Sequence, residues 1–372
     1  MQTYKDTLSE RNVRSWQDWL LILLAGAGLA LGLVFHWRLN DGPMIWPWAL
    51  ISCVLWLLLL FNKTQWLTNW LISALKSSPW PWLVVAVVLN SLVLLVGHTE
   101  MGATRWYGNE SFSIRASLIS LIPLLMFLTI FSQQTKASDI EHLLALVGMT
   151  IYALASFLQP DLVSLVLLFI LAIYFSLSAR NLMRIWLAVS AGLGLSLGAF
   201  YALSEPYRWE RLTSFLIQSD PEGIGQTLNL TQSAFEQAGW WGSEKEHLIQ
   251  QATRWIELEW SALPHMALWT GQLGLVLCLI SIVVFLAVYF AQALKSLAPV
   301  KHLLIGDWLL FAVSQVFAIL PSFGLLPYTG HYGLLWVSMN EITISAFLGL
   351  LLLSTSTTLP DLKSEYTTLN SL

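Results

Sequence analysis

Ten stretches of this 372-residue chain are mostly apolar and long enough to cross a bilayer: 17–36, 45–62, 80–98, 114–132, 141–159, 161–178, 182–203, 263–291, 302–325 and 333–355. A spanning helix needs roughly 20 such residues. With no water in the hydrocarbon layer, the backbone must satisfy its own hydrogen bonds inside each segment, and a helix does that. The pattern therefore predicts an all-α, polytopic membrane protein. Composition agrees. Hydrophobic residues make up 56% of the chain and charged residues only 11%, against about 25% charged in a soluble domain. These values exclude a disordered chain, a collagen-like fibre, a disulfide scaffold and an ordinary soluble enzyme. A formal net charge of −4 gives no basic surface for nucleic acid. Cys53 and Cys278 both fall in apolar runs, so they pair only if the fold brings them together.

Lysine and arginine in short loops set orientation. With the N-terminus in the cytoplasm, the inner segments carry eleven of them (Lys5, Arg11, Arg14, Lys63, Lys76, Lys136, Arg180, Arg184, Lys295, Lys301 and Lys363), and the short outer loops carry three, Arg38, Arg105 and Arg115. That bias, with an even number of spans, places both termini inside. The chain then reads as one membrane domain over 1–372, with a cytoplasmic N-terminus (1–16), a large extracytoplasmic loop between spans seven and eight (204–262) and a cytoplasmic C-terminus (356–372). Spans five and six are joined only through Pro160, which predicts a tight re-entry. Trp37, Trp46, Trp48, Trp80, Trp82 and Trp106 lie at predicted span ends, where an indole anchors at the membrane–water boundary.

The 204–262 loop opens with Glu205-Pro206-Tyr207-Arg208-Trp209-Glu210-Arg211 and continues through a turn-rich piece, Asp220-Pro221-Glu222-Gly223-Ile224-Gly225. A helix is predicted from about Ser243 to Trp260, with Ile249, Ala252, Ile256 and Trp260 on one face and Glu246, Gln250, Arg254 and Glu257 on the other. Such a helix suits the membrane interface, and a loop this long between spans is a place to look for a site.

Short motifs follow one another in order: Gly102-Ala103-Thr104-Arg105-Trp106, Gln159-Pro160-Asp161-Leu162, Arg211, Asp220-Pro221, Gln232-Ser233, Gly239-Trp240-Trp241-Gly242, Leu273-Gly274 and Leu326-Pro327-Tyr328-Thr329-Gly330. The ordered set, over roughly 90–355, resembles the SEDS family, the shape, elongation, division and sporulation proteins that include RodA, FtsW and SpoVE. The resemblance implies a peptidoglycan glycosyltransferase that polymerises lipid II, an undecaprenyl-linked glycan precursor, outside the bacterial cytoplasmic membrane, beside a class B penicillin-binding protein. The chain departs from the family pattern at three places. Where the family reads Gln-Pro-Ser-Glu after its Arg-Trp motif, this sequence reads Arg115-Ala116-Ser117-Leu118. Before span eight it keeps the family's glutamate as Glu259, but the family's catalytic aspartate falls on Leu263. Near span ten the family's Ser-Tyr-Gly-Gly-Ser is reduced to Ser338-Met339-Asn340-Glu341.

Moving a sugar from a lipid diphosphate to a sugar hydroxyl requires a carboxylate to accept the proton and cations to hold the leaving diphosphate. Glu259 is the surviving catalytic candidate, with an interfacial, solvated glutamate as the plainer reading. Substrate-binding candidates are Arg105, Trp106, Arg208, Arg211, Asp161 and Glu341; an arginine fork suits phosphate oxygens. For the arginines the competing reading is contact with ordinary lipid headgroups. For Asp161 it is capping of span six, and for Glu341 a position near the outer interface. Asp307 is expected near the inner interface, and His265 is the histidine nearest the proposed site. No cofactor and no metal site is expected, although a divalent cation is compatible with the family. The alternatives are a non-catalytic homologue that scaffolds a penicillin-binding protein, an O-antigen ligase-like transferase, or a lipid transporter.

Overall fold

The structure, a computed structural model, describes residues 15–39, 46–61, 70–71, 73–100, 103–109, 112–159, 161–179, 224–243, 262–296, 300–326, 348–351 and 353. Helices dominate. In chain order they are α1 (Trp16–Leu39), α2 (Trp46–Leu60), α3 (Trp80–Val96), α4 (Ala116–Gln133), α5 (Asp139–Leu158), α6 (Leu162–Ser178), α7 (Ile224–Gln237), α8 (Ala262–Lys295) and α9 (Val300–Ile319), the last continuing into a 3₁₀ turn, Leu320–Phe323. Among the described residues, five helices are long and apolar enough to cross a membrane, and α2, α3 and α6 are shorter apolar helices. The span expected at 182–203 and most of that at 333–355 lie outside the described residues, as does the helix expected from Ser243 onward; Ser243 itself is not helical.

α4 is the central post, buried on nearly all sides. It packs on α3, α6 and α9, while α3 also packs on α5, and α8 on α9 and α1. At one end, Trp80 and His142 close on Phe131, which stacks on Phe127. α5 starts there with a reciprocal cap: Glu141 N–H donates to Ser138 Oγ and Ser138 N–H to the Glu141 carboxylate. Trp80 and Trp82, expected as interface anchors, lie in the first turn of α3 and are partly buried. Trp80 packs on Phe127 and Phe131, and Trp82 donates to Ser77 Oγ and meets Trp70 edge-on.

Contacts along the helices show which ends lie together. Ser117, at the start of α4, meets Asp161, at the start of α6. Tyr174, near the end of α6, meets His302, at the start of α9. Trp308 of α9 donates to Leu286 in the second half of α8. The starts of α4, α6 and α8 and the end of α9 therefore share one end of the bundle. That end carries a three-stranded antiparallel sheet that the all-α expectation did not contain: β1 (His98–Glu100), β2 (Ala103–Asn109) and β3 (Phe112–Arg115), with β2 in the middle. Alternating Thr104, Trp106 and Gly108 with Arg105, Tyr107 and Asn109 suits a short strand, and the sheet uses residues first assigned to span ends and a loop. α7 lies at the same end. Its Phe235 stacks on Phe323, 5.4 Å between ring centres, beyond the end of α9.

Two further details depart from expectation. Asp307, expected near the inner interface, is not a solvated residue. It lies seven residues into α9, about 10 Å along the helix at 1.5 Å per residue, is buried, and accepts from Tyr289 Oη at 2.8 Å. Gly349 leaves the room this pair occupies, since a Cβ there would collide with both side chains. Secondly, α8 is two helices joined at Gly271, whose φ of 77° and ψ of 179° suit glycine alone. Cys53 and Cys278 are free thiols.

The kink generates a prediction. A Cβ at Gly271 would strike the Trp240 carbonyl and the Gly242 amide. Gly271→Ala therefore carries backbone strain of about 1–3 kcal/mol plus a collision. Its melting temperature in detergent is expected well below that of the unmodified protein, as measured by a thermal-shift assay.

Candidate functional site

The end of the bundle that bears the sheet gathers the polar groups. Asn90 of α3, Ser117 and Ser120 of α4, Tyr152 and Ser156 of α5, Gln159 at the α5–α6 corner, and Asp161 and Ser164 at the start of α6 are all buried. They bond one another, although Gln159 Oε1 has no hydrogen-bond partner among the described residues. Asn90 Nδ2 donates to the Tyr152 carbonyl at 3.0 Å and to Ser156 Oγ at 2.8 Å. Gln159 Nε2 donates to the Asn90 backbone carbonyl at 2.5 Å and to its Oδ1 at 2.9 Å. Tyr152 Oη bonds Ser120 Oγ at 2.8 Å and donates to the Ser117 carbonyl.

Asp161 is the acidic member. Its carboxylate takes Ser117 Oγ at 2.5 Å, Ser164 Oγ at 2.7 Å and the Ser164 N–H at 3.2 Å. It caps α6 and at the same time ties α6 to α4. Only the Gln159-Pro160-Asp161 corner separates α5 from α6, which is the tight re-entry the sequence indicates. A charge is costly near a membrane core unless it is hydrogen-bonded within the protein, and this carboxylate is 2% exposed with three donors on it.

Above this cluster stands the sheet. His98, Trp106 and Arg115 face one another across the three strands. The His98 ring stacks on the Trp106 indole at 5.9 Å, and the Arg115 guanidinium lies over the same indole at 5.6 Å. The Arg105 guanidinium is 5.0 Å from that ring. Trp106 is buried, so it is a packing centre for two cations and not a lipid anchor. Tyr107 fixes the sheet to the bundle by donating to the Leu89 carbonyl of α3, and burial pushes its phenol above the usual range.

Arg105, Trp106 and Asp161 of the sequence-predicted set thus fall at one end of the bundle. Glu259, Arg208, Arg211 and Glu341 lie outside the described residues. Leu263, on the family's aspartate position, is buried in the apolar core, and His265 beside it is also buried. Sequence reading missed Arg115 as a candidate and treated it as an outer-loop charge. It is 2% exposed, and its burial follows from the pairing of β3 with β2. Among the described residues, no group of three or more His, Cys, Asp or Glu is placed to hold a metal ion.

The Asp161 hub can be tested directly. Asp161→Leu strands the donors of Ser117 and Ser164, at about 1–3 kcal/mol for each, whereas Asp161→Asn keeps an acceptor oxygen. The expected order of melting temperatures in detergent is unmodified protein, then Asp161→Asn, then Asp161→Leu.

A family profile described as "Cell cycle protein", covering FtsW, RodA and SpoVE, matches residues 18–353. Among curated relatives, the probable peptidoglycan glycosyltransferase FtsW of Pseudoalteromonas translucida is 26% identical over 335 residues, or 85% of this chain and 79% of the relative. That of Aliivibrio salmonicida is 30% identical over 253 residues, which is 63% of this chain and 60% of the relative, so this match spans less than two thirds of the relative's length. Among solved structures, a chain from work described as structural coordination of polymerization and crosslinking by a peptidoglycan synthase complex superposes with a TM-score of 0.64 at 22% identity, covering 92% of this chain and 98% of that one. The rod shape determining protein RodA of Thermus thermophilus superposes with a TM-score of 0.55 at 21% identity, covering 91% and 96%. At these identities the likeness is one of fold.

Proposed function

The chain belongs to the FtsW/RodA/SpoVE family of cell-cycle proteins, and from that membership we propose that it is a multi-pass bacterial membrane glycosyltransferase that extends peptidoglycan from lipid II. The observation that carries the reading is the pair of guanidinium groups, Arg105 and Arg115, on one buried indole at the end of an apolar bundle. A lipid-borne diphosphate needs cations at the rim of the bilayer, with apolar helices below for its tail. The names of the FtsW relatives support the same activity.

In this reading the sheet end faces the outside of the cell and both termini lie in the cytoplasm. A sugar hydroxyl attacks the anomeric carbon of the lipid-linked sugar. The new glycosidic bond forms as the bond to the diphosphate oxygen breaks, and the polyprenyl diphosphate leaves with the electron pair. Glu259 accepts the hydroxyl proton, since Leu263 cannot. Arg105, with Arg208 and Arg211 from the large loop, holds the diphosphate as its charge grows. Arg115 adds a fixed buried charge behind Trp106, and Trp106 sets the plane on which Arg105 rests. Asp161 serves the substrate through the scaffold, by locking the start of α4, where the sheet ends, to the start of α6. Glu341 is assigned to substrate contact on the family register alone. A class B penicillin-binding protein is the proposed partner, in line with the synthase complex among the structural relatives. The Leu at position 263 favours a second reading, in which the chain holds lipid II or the partner without polymerising glycan.

Two experiments test this. Purified protein, alone and with a class B partner, is given labelled lipid II. Glycan polymer is expected, and Glu259→Ala is expected to abolish it; lipid II binding with no polymer from the unmodified protein supports the second reading. For orientation, Asn229, exposed on α7, is changed to Cys in a background without Cys53 and Cys278. A membrane-impermeant maleimide is expected to label it in intact cells; labelling only after lysis reverses the assignment.

A further inference from the structure

The Gly239-Trp240-Trp241-Gly242 turn presents two adjacent tryptophans, 70% and 82% exposed. Exposed indoles of this size on a well-fixed turn are unusual on a surface facing water. The turn is fixed by the kink in α8. Beyond Gly271 a second helical segment begins, and its first N–H groups have no partner within the helix. The turn supplies them: Gln272 N–H donates to the Gly239 carbonyl at 2.9 Å and Leu273 N–H to the Trp240 carbonyl at 3.3 Å. In return Ser243 N–H donates to the Leu268 carbonyl at 2.7 Å. Gly239 and Gly242 take positive φ values of 61° and 100°, which lets the chain double back so tightly.

The depth of this turn follows from helix length. From Lys295, at the far end of α8, to Leu273 is 22 residues, about 33 Å at 1.5 Å per residue. The Lys295 end is polar: Lys295 and Gln292 both donate to Gln17 Oε1. A hydrocarbon layer of about 30 Å that begins there ends within a turn of Leu273, the residue bonded to Trp240. Leu273, Val276, Leu277, Ile280 and Val283 are exposed at helical spacing on α8, and such a row of exposed apolar side chains along a spanning helix suits contact with acyl chains. The row starts where the turn is attached, so the two indoles continue that surface upward into the layer where tryptophan is enriched.

We propose that Trp240 and Trp241 form a membrane-surface anchor, seated among the headgroups and upper acyl chains of the leaflet at the sheet end, which fixes the large loop to the bilayer. The two indoles enter as amphipathic wedges, rings toward the chains and N–H groups toward the headgroup oxygens. This role is separate from sugar transfer and holds whether or not the chain polymerises glycan.

The test uses the full chain lacking Cys53 and Cys278, in nanodiscs of phosphatidylethanolamine and phosphatidylglycerol. A nitroxide is attached at Trp240→Cys or Trp241→Cys, each variant keeping the other tryptophan. Asn229→Cys serves as a water-exposed reference and Leu277→Cys as a lipid-exposed one. Power saturation compares collisions with oxygen, which concentrates in lipid, and with a water-soluble nickel chelate. The expected oxygen-to-nickel ratio at 240 and 241 is several-fold above that at 229 and below that at 277, which is the ratio of the headgroup boundary. A ratio equal to that at 229 overturns the proposal. So does low collision with both reagents, whether in the isolated protein or only after a penicillin-binding protein is added, because the tryptophans are then covered by protein.

Discussion

Everything at the sheet end depends on a small set of buried hydrogen bonds that water cannot replace. Asn90, Tyr152, Ser156 and Gln159 join α3 to α5, and Asp161 joins α6 to α4 through Ser117. In a purely apolar bundle, helices slide and rotate at little cost, because one methyl group packs as well as another against lipid or protein. A buried carboxylate with three donors has one good arrangement, and leaving it is expensive. The cluster therefore sets the height and rotation of four helices at the end where the sheet stands. The Tyr289–Asp307 pair is a counterpart on α8 and α9.

The second ordering device is a broken helix. α8 cannot be continuous through Gly271, and the N–H groups released by the break are taken up by the Gly239–Gly242 turn. The same turn follows α7, whose Phe235 stacks beyond the end of α9. Sheet, turn and α7 thus form a polar and aromatic crown on one end of an apolar bundle. The crown holds Arg105 and Arg115 on the Trp106 indole. In the proposed function those two guanidinium groups are the ones that meet the diphosphate of a lipid-linked sugar.

Much of this was legible in the sequence, and the parts that were not share a cause. Long apolar runs revealed most spans, because a bilayer demands about 20 such residues from each. The Gln159-Pro160-Asp161 corner was readable because proline and an N-cap residue punctuate helices locally. The sheet was not readable: three strands of three to seven residues have too little periodicity to stand out between two apolar helices. Arg115 followed from that omission, since a lone arginine before a helix resembles any loop charge until β3 is paired with β2. The burial of Asp307 was hidden for a related reason. Its partner Tyr289 and the space left by Gly349 are distant in sequence, so Lys301, six residues before it in the chain, dominated the reading. The helix α7 was hidden by Asp220-Pro221-Glu222-Gly223, whose turn signals suppressed the helical pattern that follows.

In the proposed function the crown recognises the diphosphate of a lipid-linked sugar through the cations arranged on Trp106. The most direct measurement is the affinity of fluorescent lipid II for the protein in nanodiscs, compared between the unmodified chain, Arg105→Gln and Arg115→Gln. The same measurement is made with a lipid that carries the polyprenyl chain but no phosphate. Both substitutions are expected to weaken lipid II binding, Arg105→Gln more than Arg115→Gln, and neither to change binding of the phosphate-free lipid. Equal affinity of all three proteins for lipid II, with each shown to be folded, would contradict it.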